Sequence, residues 1–158
     1  MRDTEFRDIF SRVANTVSIV CISDENGSLS ASTISSLGSV SVEQETQKIL
    51  FVLRKNSRTG NIIRQRKQFS VNVLKGDQAH LAVLFSNKFN QSEVMEYFKY
   101  EKGVPIVGES LFNFICTFET SYAVDRNEII IGRVDRLESE SSQGQPLVYV
   151  NRKYSQPR

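Results

Sequence analysis

Seven serines fall within fourteen residues of this chain: Ser28, Ser30, Ser32, Ser35, Ser36, Ser39 and Ser41, with Thr33 and Ile34 among them. Small hydroxyl residues let a ligand approach the backbone and meet N–H, C=O and O–H groups, the donor and acceptor set that a polar planar ring needs. The same composition suits an exposed edge strand and loop, because turns favour serine for their own hydrogen bonds. A second segment is Asn56-Ser57-Arg58-Thr59. Asn56 or Ser57 can cap a following helix, and its free first-turn N–H groups, two hydroxyls and a guanidinium make a cradle for phosphate. A plain helix cap beside a solvated arginine accounts for the same four residues. Asp125 and Glu128 are candidates for paired carboxylates, but a charged hairpin turn explains them equally simply. His80 is the only histidine.

That single imidazole disfavours a His-built metal site, and two cysteines do not complete one. Ser-His-Asp and Cys-His catalysis would both have to pass through His80. Lys and Arg total 20 against 18 Asp and Glu, a net charge of +2, so neither nucleic acid nor an anionic membrane surface is indicated as a partner. The 158 residues, 39% hydrophobic and 24% charged, fit one globular domain spanning 1–158. The opening Met1-Arg2-Asp3 has no apolar run behind it, and nothing approaches the roughly 20 apolar residues of a membrane span. The expectation is a cytoplasmic protein with Cys21 and Cys116 as reduced core thiols.

The elements that must position these segments are mostly strands. Phe6, Ile9, Phe10 and Val13 repeat at helical spacing, so residues 3–14 are predicted as an amphipathic helix. Val17-Ser18-Ile19-Val20-Cys21-Ile22 is a β-branched strand, and Asn26-Gly27 predicts a hairpin into residues 28–34 with both turn residues at positive φ. Further strands are expected at 49–53, 69–74, 112–122, 128–134 and 146–150, with 128–134 buried on both faces near its middle. Phe112, Phe114, Cys116, Phe118, Thr120 and Tyr122 should share one strand face. Helices are expected at 59–66 and after Asp77 as cap. Residues 87–108 read as a loop with short pieces of structure, and 139–145 as a polar loop. Strands do not alternate with helices, and no glycine-rich nucleotide loop is present, so a doubly wound sheet is disfavoured. The predicted fold is mainly β: an antiparallel barrel of six or more strands with a few short helices.

Taken in order, the segments resemble the flavin reductase family of FMN-binding split barrels, in size closest to the reductase components of two-component flavin monooxygenases. The resemblance lies in Ala31-Ser32-Thr33-Ile34-Ser35-Ser36-Leu37-Gly38-Ser39-Val40-Ser41, in Asn56-Ser57-Arg58-Thr59, in Phe69-Ser70-Val71-Asn72-Val73-Leu74, and in Ile131-Gly132-Arg133-Val134 with Pro146-Leu147-Val148-Tyr149 and Tyr154. It implies a homodimer with each flavin, FMN or FAD, near the subunit interface. By the same resemblance, Thr33, Ile34, Ser35 and Ser36 hold the isoalloxazine edge, largely through backbone groups, and Ser57, Arg58 and Thr59 sit by the phosphate. NAD(P)H is the implied hydride donor and a separate oxygenase the implied recipient of reduced flavin. No catalytic side chain is expected, since hydride transfer between two cofactors needs orientation more than acid–base chemistry.

Two positions depart from the family pattern. Leu37 stands where the serine-rich motif usually has Phe, and Asn127 stands where the family has a histidine near the nicotinamide. Asparagine can hydrogen-bond an amide but carries no charge. Asn127 is therefore the expected substrate-side residue, and a flavin-binding module that does not turn over NAD(P)H is the alternative. A pyridoxamine-phosphate-oxidase-like enzyme is a weaker one, wanting more basic residues around the phosphate than Arg58 with Arg54 and Lys55.

Overall fold

The computed structural model describes residues 1–139 and 143–157. In chain order the elements are α1 (Asp3–Phe10), β1 (Asn15–Thr16), β2 (Ser18–Ser23), β3 (Leu29–Ile34), β4 (Gly38–Val42), β5 (Gln47–Arg54), α2 (Arg58–Arg66), β6 (Gln68–Val73), α3 (Ala79–Phe85), α4 (Gln91–Val94) with one 3₁₀ turn Met95–Tyr97, β7 (Phe98–Glu101), β8 (Val104–Val107), β9 (Phe112–Val124), β10 (Asn127–Glu138), β11 (Val148–Val150) and β12 (Lys153–Ser155). Seven strands form one antiparallel sheet in the order β3-β2-β6-β9-β10-β5-β4. A small sheet, β1-β11-β12, and the β7-β8 hairpin complete the strand set. No ladder joins the edge strands β3 and β4; in the link between them Ser36 Oγ accepts the Val52 N–H of β5 at 2.9 Å.

β2 explains its unbroken apolar run by being buried on both faces. Val17, Ile19 and Cys21 pack with Leu74, Leu81, Phe85 and Leu147 in one core. Val20 and Ile22 pack with Phe51, Ile63, Phe69, Val71 and Ile130 in the other, beneath α2. Between them the buried Asn72 amide donates to Ile19 O and Ser70 Oγ, both at 2.9 Å, and its Oδ1 accepts the Val107 N–H at 3.0 Å. This one side chain ties β2, β6 and β8 together and satisfies groups that burial would otherwise leave bare.

Several expectations change. α1 stops at Phe10, four residues short of the predicted end, and none of its residues is buried. Its stripe of Phe6, Ile9 and Phe10 faces outward, more than half exposed. The β2–β3 turn closes with Gly27 N donating to Asp24 O, and only Gly27 takes a positive φ (79°), so Asn26 needs none. Asp77 does not cap α3; Gln78 occupies that position and its Oε1 accepts the Lys75 N–H at 2.9 Å. β9 does not keep one face from Phe112 to Tyr122: Gly132 pairs Phe118 while Ile131 pairs Thr120, and the skipped Glu119 is a bulge that reverses the alternation. β10 buries Glu128, Ile130 and Gly132 but leaves Ile129 and Ile131 half-exposed, so it is not buried on both faces. The stretch 87–108 holds α4 and the β7-β8 hairpin. Of the polar loop predicted at 139–145, residues 140–142 lie outside the described residues. No helix among the described residues is long and apolar enough to cross a membrane.

Gly132 is set by a close approach. A Cβ there would lie 2.7 Å from Phe69 Cζ and 3.4 Å from Cys116 Cβ. Phe69 is fully buried and edge-on to Phe51, ring centroids 5.7 Å apart, so it has little room to yield. Gly132→Ala is expected to destabilise the fold by about 1–3 kcal/mol through overpacking. A wild-type urea midpoint for the variant would show that the ring moves freely.

Candidate functional site

The chain leaves β5 through Asn56, which takes a positive φ of 61°, and enters α2 at Ser57. Asparagine tolerates that left-handed geometry better than most residues. Ser57 is extended and its Oγ accepts the Gly60 N–H at 3.1 Å, the geometry of a helix cap. The N–H groups of Arg58 and Thr59 have no partner among the described residues. They point the positive end of the helix into the space before it.

Thr59 turns back towards the serine-rich strand. Its Oγ1 lies 2.8 Å from Ser30 Oγ and 2.9 Å from Ser32 Oγ. Two segments that are 27 residues or more apart in sequence are thereby one site. Three hydroxyls carry three hydrogens, and two contacts use two of them, so one O–H remains to donate outward. Ser30 and Thr59 are buried while Ser32 is only partly so, which puts the outward-facing hydroxyl at Ser32.

Arg58 is held beside this cluster. Its Nη1 donates to Leu29 O at 3.0 Å and its Nη2 lies 3.5 Å from Asp24 Oδ2. Asp24 is fixed in turn, because its Oδ1 accepts the N–H groups of Asn26 and Ser28, each at 2.9 Å. The Ser28 N–H chiefly holds this carboxyl below its ordinary pKa, with Asn26 and Arg58 adding to the effect. The guanidinium is thus oriented yet still 57% exposed.

A cleft of about 570 Å³ opens between these groups and the residues after α3, where Phe85, Ser86, Lys88 and Phe89 form the opposite wall. Phe89 stands edge-on to Phe85, ring centroids 5.1 Å apart. A smaller cavity of about 170 Å³ adjoins it, lined by Val17, Thr33, Ile34, Ser35, Tyr149 and Tyr154. Ser86 lines both cavities, so they form one track along β3. From Ser30 to Ser35 that track is about 17 Å long at the usual strand rise. Its far end is aromatic: Tyr149 and Tyr154 lie 5.1 Å apart, and burial with the neighbouring Tyr149 raises the pKa of the Tyr154 phenol.

The predicted residues divide accordingly. Ser57, Arg58 and Thr59 line the larger cavity, and Thr33, Ile34 and Ser35 the smaller one. The Thr33 hydroxyl is taken up by Ala82 O at 2.7 Å and that of Ser36 by Val52 N, leaving backbone groups and the exposed Ser35 hydroxyl at this end. Asn127 is exposed at the start of β10, opposite Arg54, and lines neither cavity of this one chain. Asp125 and Glu128 do not converge. Asp125 sits in the β9–β10 turn at φ 52°, while Glu128 is buried and paired with Arg64. His80 is exposed, edge-on to Tyr97, and lines neither of these cavities. Cys21 and Cys116 are free, sit in different core clusters and have their thiol pKa values pushed up by burial. Sequence reasoning missed Lys88, Tyr149, Tyr154 and the tether from Asp24. The tyrosines' recurrence on either side of Asn151 and Arg152 was a signal for a hairpin, but not for what the hairpin faces.

The pattern of the flavin reductase like domain matches residues 10–158. The chain belongs to that family. Among its relatives are the actinorhodin polyketide dimerase of Streptomyces coelicolor, 27% identical over 150 residues, which cover 94% of this chain and 83% of the relative. The NADH-dependent flavin reductase StyB of Pseudomonas fluorescens is 23% identical over 152 residues, 96% of this chain and 88% of that protein. The solved structure of the styrene monooxygenase flavin reductase of Pseudomonas putida S12 superposes with a TM-score of 0.87 over 97% of each chain, at 21% identity, and so shares the fold.

Within this flavin reductase like domain, Thr59 is the joint between the helix start and the serine strand. Thr59→Val keeps the shape and deletes the hydroxyl, leaving the buried Ser30 Oγ without a partner. Stability is expected to fall by about 1–3 kcal/mol, with Thr59→Ser close to wild type. Equal urea midpoints for Val and Ser would show that the hydroxyl chain contributes nothing.

Proposed function

We propose that this chain is an NAD(P)H-dependent flavin reductase that supplies reduced flavin to a separate oxygenase. The observation that carries this reading is the continuous track along β3, with phosphate donors at one end and a backbone-lined aromatic end at the other. Its residues fit a flavin mononucleotide. The free N–H groups of Arg58 and Thr59, the outward hydroxyl of Ser32, the tethered Arg58 guanidinium and the Lys88 ammonium across the cleft are all donors, as a phosphate dianion requires. Thr33, Ile34 and Ser35 offer backbone groups to the edge of a planar ring, and Tyr149 and Tyr154 offer it a face.

When bound, flavin accepts a hydride from a nicotinamide ring stacked on it. This chain's contribution is to anchor the phosphate, to fix the ring by its edge and to hold the site in stacking geometry. Among the described residues, the ionisable side chains lining the ring end of the track are the phenols of Tyr149 and Tyr154, and burial raises the pKa of the Tyr154 phenol. The relatives named as NADH-dependent flavin reductases support the choice of a reduced nicotinamide as donor.

A homodimer completes this reading. The strand register places Leu50, Val52, Ile129 and Ile131, with Thr120 and Tyr122, on one outer face of β5, β10 and β9. All of them are at least partly exposed, Tyr122 by 57%. Arg54 and Asn127 lie at the end of the same face, so pairing of two copies there brings Asn127 to the subunit boundary, where the reading places the nicotinamide. We take the chain to be a single split-barrel domain acting in the cytoplasm. The uncharged Asn127 favours one other reading, a flavin carrier without NAD(P)H turnover.

Mixing the protein anaerobically with FMN or FAD and then NADH or NADPH separates the two. Bleaching of the flavin band is expected with at least one nucleotide; tight flavin retention without bleaching would favour the carrier. Asn127→His is expected to lower the KM for the nucleotide by roughly three- to tenfold, one good hydrogen bond's worth. An unchanged KM would remove Asn127 from the nicotinamide site.

A further inference from the structure

Arg58 stands on a divide. On one side is the cleft facing Ser32 and Thr59; on the other is a second cleft of about 730 Å³, running between the β2–β3 turn and the outer flank of α2. Arg58 lines both. Nothing argued so far uses the second cleft. We propose that it receives the adenylate half of FAD, making the dinucleotide and not FMN the preferred flavin; this rests on the flavin reading of the first cleft.

The chemistry of the walls supports that occupant. Asn26 from the turn, and Asn61 and Gln65 one helical turn apart on α2, line the cleft, with the largely buried Ile62 at its floor. A carboxamide offers an acceptor and a donor side by side, the complement of the adenine N6 and N7 edge. The Asn61 amide is held by its neighbours, its Oδ1 accepting from Arg64 Nη2 at 2.6 Å and its Nδ2 donating to Asn56 O at 3.5 Å, so the carboxamides left for a ligand are those of Asn26 and Gln65. The side chains of Asn26, Gln65 and Arg66 have no partner among the described residues, so they are available to a ligand. Arg66 closes the far end of the cleft as a second cation.

The divide itself suits a pyrophosphate. A phosphate held by the first turn of α2 lies beside Arg58, and the next phosphate of a dinucleotide would pass over the guanidinium into the second cleft. Arg58 can serve both, because its two tethers use one N–H of Nη1 and one of Nη2, and a guanidinium carries five N–H groups. Two carboxylates also line this cleft: Asp24 is bonded to two backbone N–H groups and faces Arg58, and Glu25 is exposed, where solvent and salt screen its charge.

The test is calorimetric titration of the intact protein with riboflavin, FMN and FAD, repeated on the double variant Gln65→Ala, Arg66→Ala. Both positions are exposed on α2, and a thermal melt checks that the variant folds. The expected result is FAD bound roughly tenfold more tightly than FMN, with the variant bringing the ratio of the two dissociation constants close to one. FMN bound as tightly as FAD by the native protein, or a ratio that the variant leaves alone, would overturn the inference while leaving the flavin site standing. Binding of neither flavin would overturn the reading beneath it, and the inference with it. A variant that raises the KM for NADH with FMN as acceptor, at an unchanged flavin ratio, would assign the cleft to the nicotinamide dinucleotide instead.

Discussion

One hydroxyl group organises this molecule's functional end. Thr59 is almost wholly buried, and its oxygen reaches Ser30 and Ser32 on the neighbouring strand. A buried hydroxyl must find partners, and here the partners are what bring α2 against β3. Everything at the donor end follows from that junction: the unpartnered N–H groups of the first helical turn, the position of Arg58 and the orientation of the one O–H left over. The serine-rich strand is therefore not simply a smooth surface for a ring. In the proposed flavin reading its first half serves the anion end and its second half the ring end, and the change falls at Thr33, whose own hydroxyl turns away to Ala82.

Much of this was legible in the sequence because the relevant signals are local. Ser57 caps α2 as its type and place demand, and Phe69-Ser70-Val71-Asn72 forms β6 as expected, but the strand is not half-buried as its alternation predicts: Ser70 and Asn72 are buried as fully as Phe69 and Val71 because their polar groups find hydrogen-bond partners inside. The serine-rich run and the turn Asn56-Ser57-Arg58-Thr59 stand out by composition alone. What failed depends on partners far away in the chain. The bulge at Glu119 cannot be read from β9 alone, because it exists only relative to the register of β10. The exposed stripe of α1 has the spacing of a buried one, and spacing does not say which helices find a core to face. Lys88 and Phe89 read as loop because their role comes from standing across a cleft from Ser30 and Arg58. Asp77 has the residue type of a cap, but α3 begins one residue later behind Gln78, with no side-chain cap hydrogen bond.

The proposed site draws on few ionisable groups. Glu128, the most deeply buried carboxylate at this end, lies beneath α2 and pairs with Arg64. Its other oxygen has no hydrogen-bond partner among the described residues, and a Cβ on Gly60 would lie 2.5 Å from it. Gly60 thus lets the helix come down over a charged group and not an apolar one, and the charge is kept out of the track. Both thiols are likewise inside the core and inert. The chemistry left to the surface of the track is donation of hydrogen bonds and presentation of flat apolar area.

The aromatic end of the track has a different kind of dependence. Tyr149 and Tyr154 belong to the β11-β12 hairpin, which β1 pairs with through Asn15 and Thr16. The hairpin is also bound to α1 by the Asn151 N–H on Ser11 O and by the Arg152–Asp8 ion pair. These partners are more than 130 residues apart, and a ribosome makes them in order. On a nascent chain the α1 and β1 contacts with this hairpin must wait until the hairpin emerges, and α2 must likewise wait for Glu128 and Ile130 of β10. The aromatic end is thus closed by the last strands of the chain meeting the first helix and strand, which makes it the part of the track most sensitive to loss of either terminus.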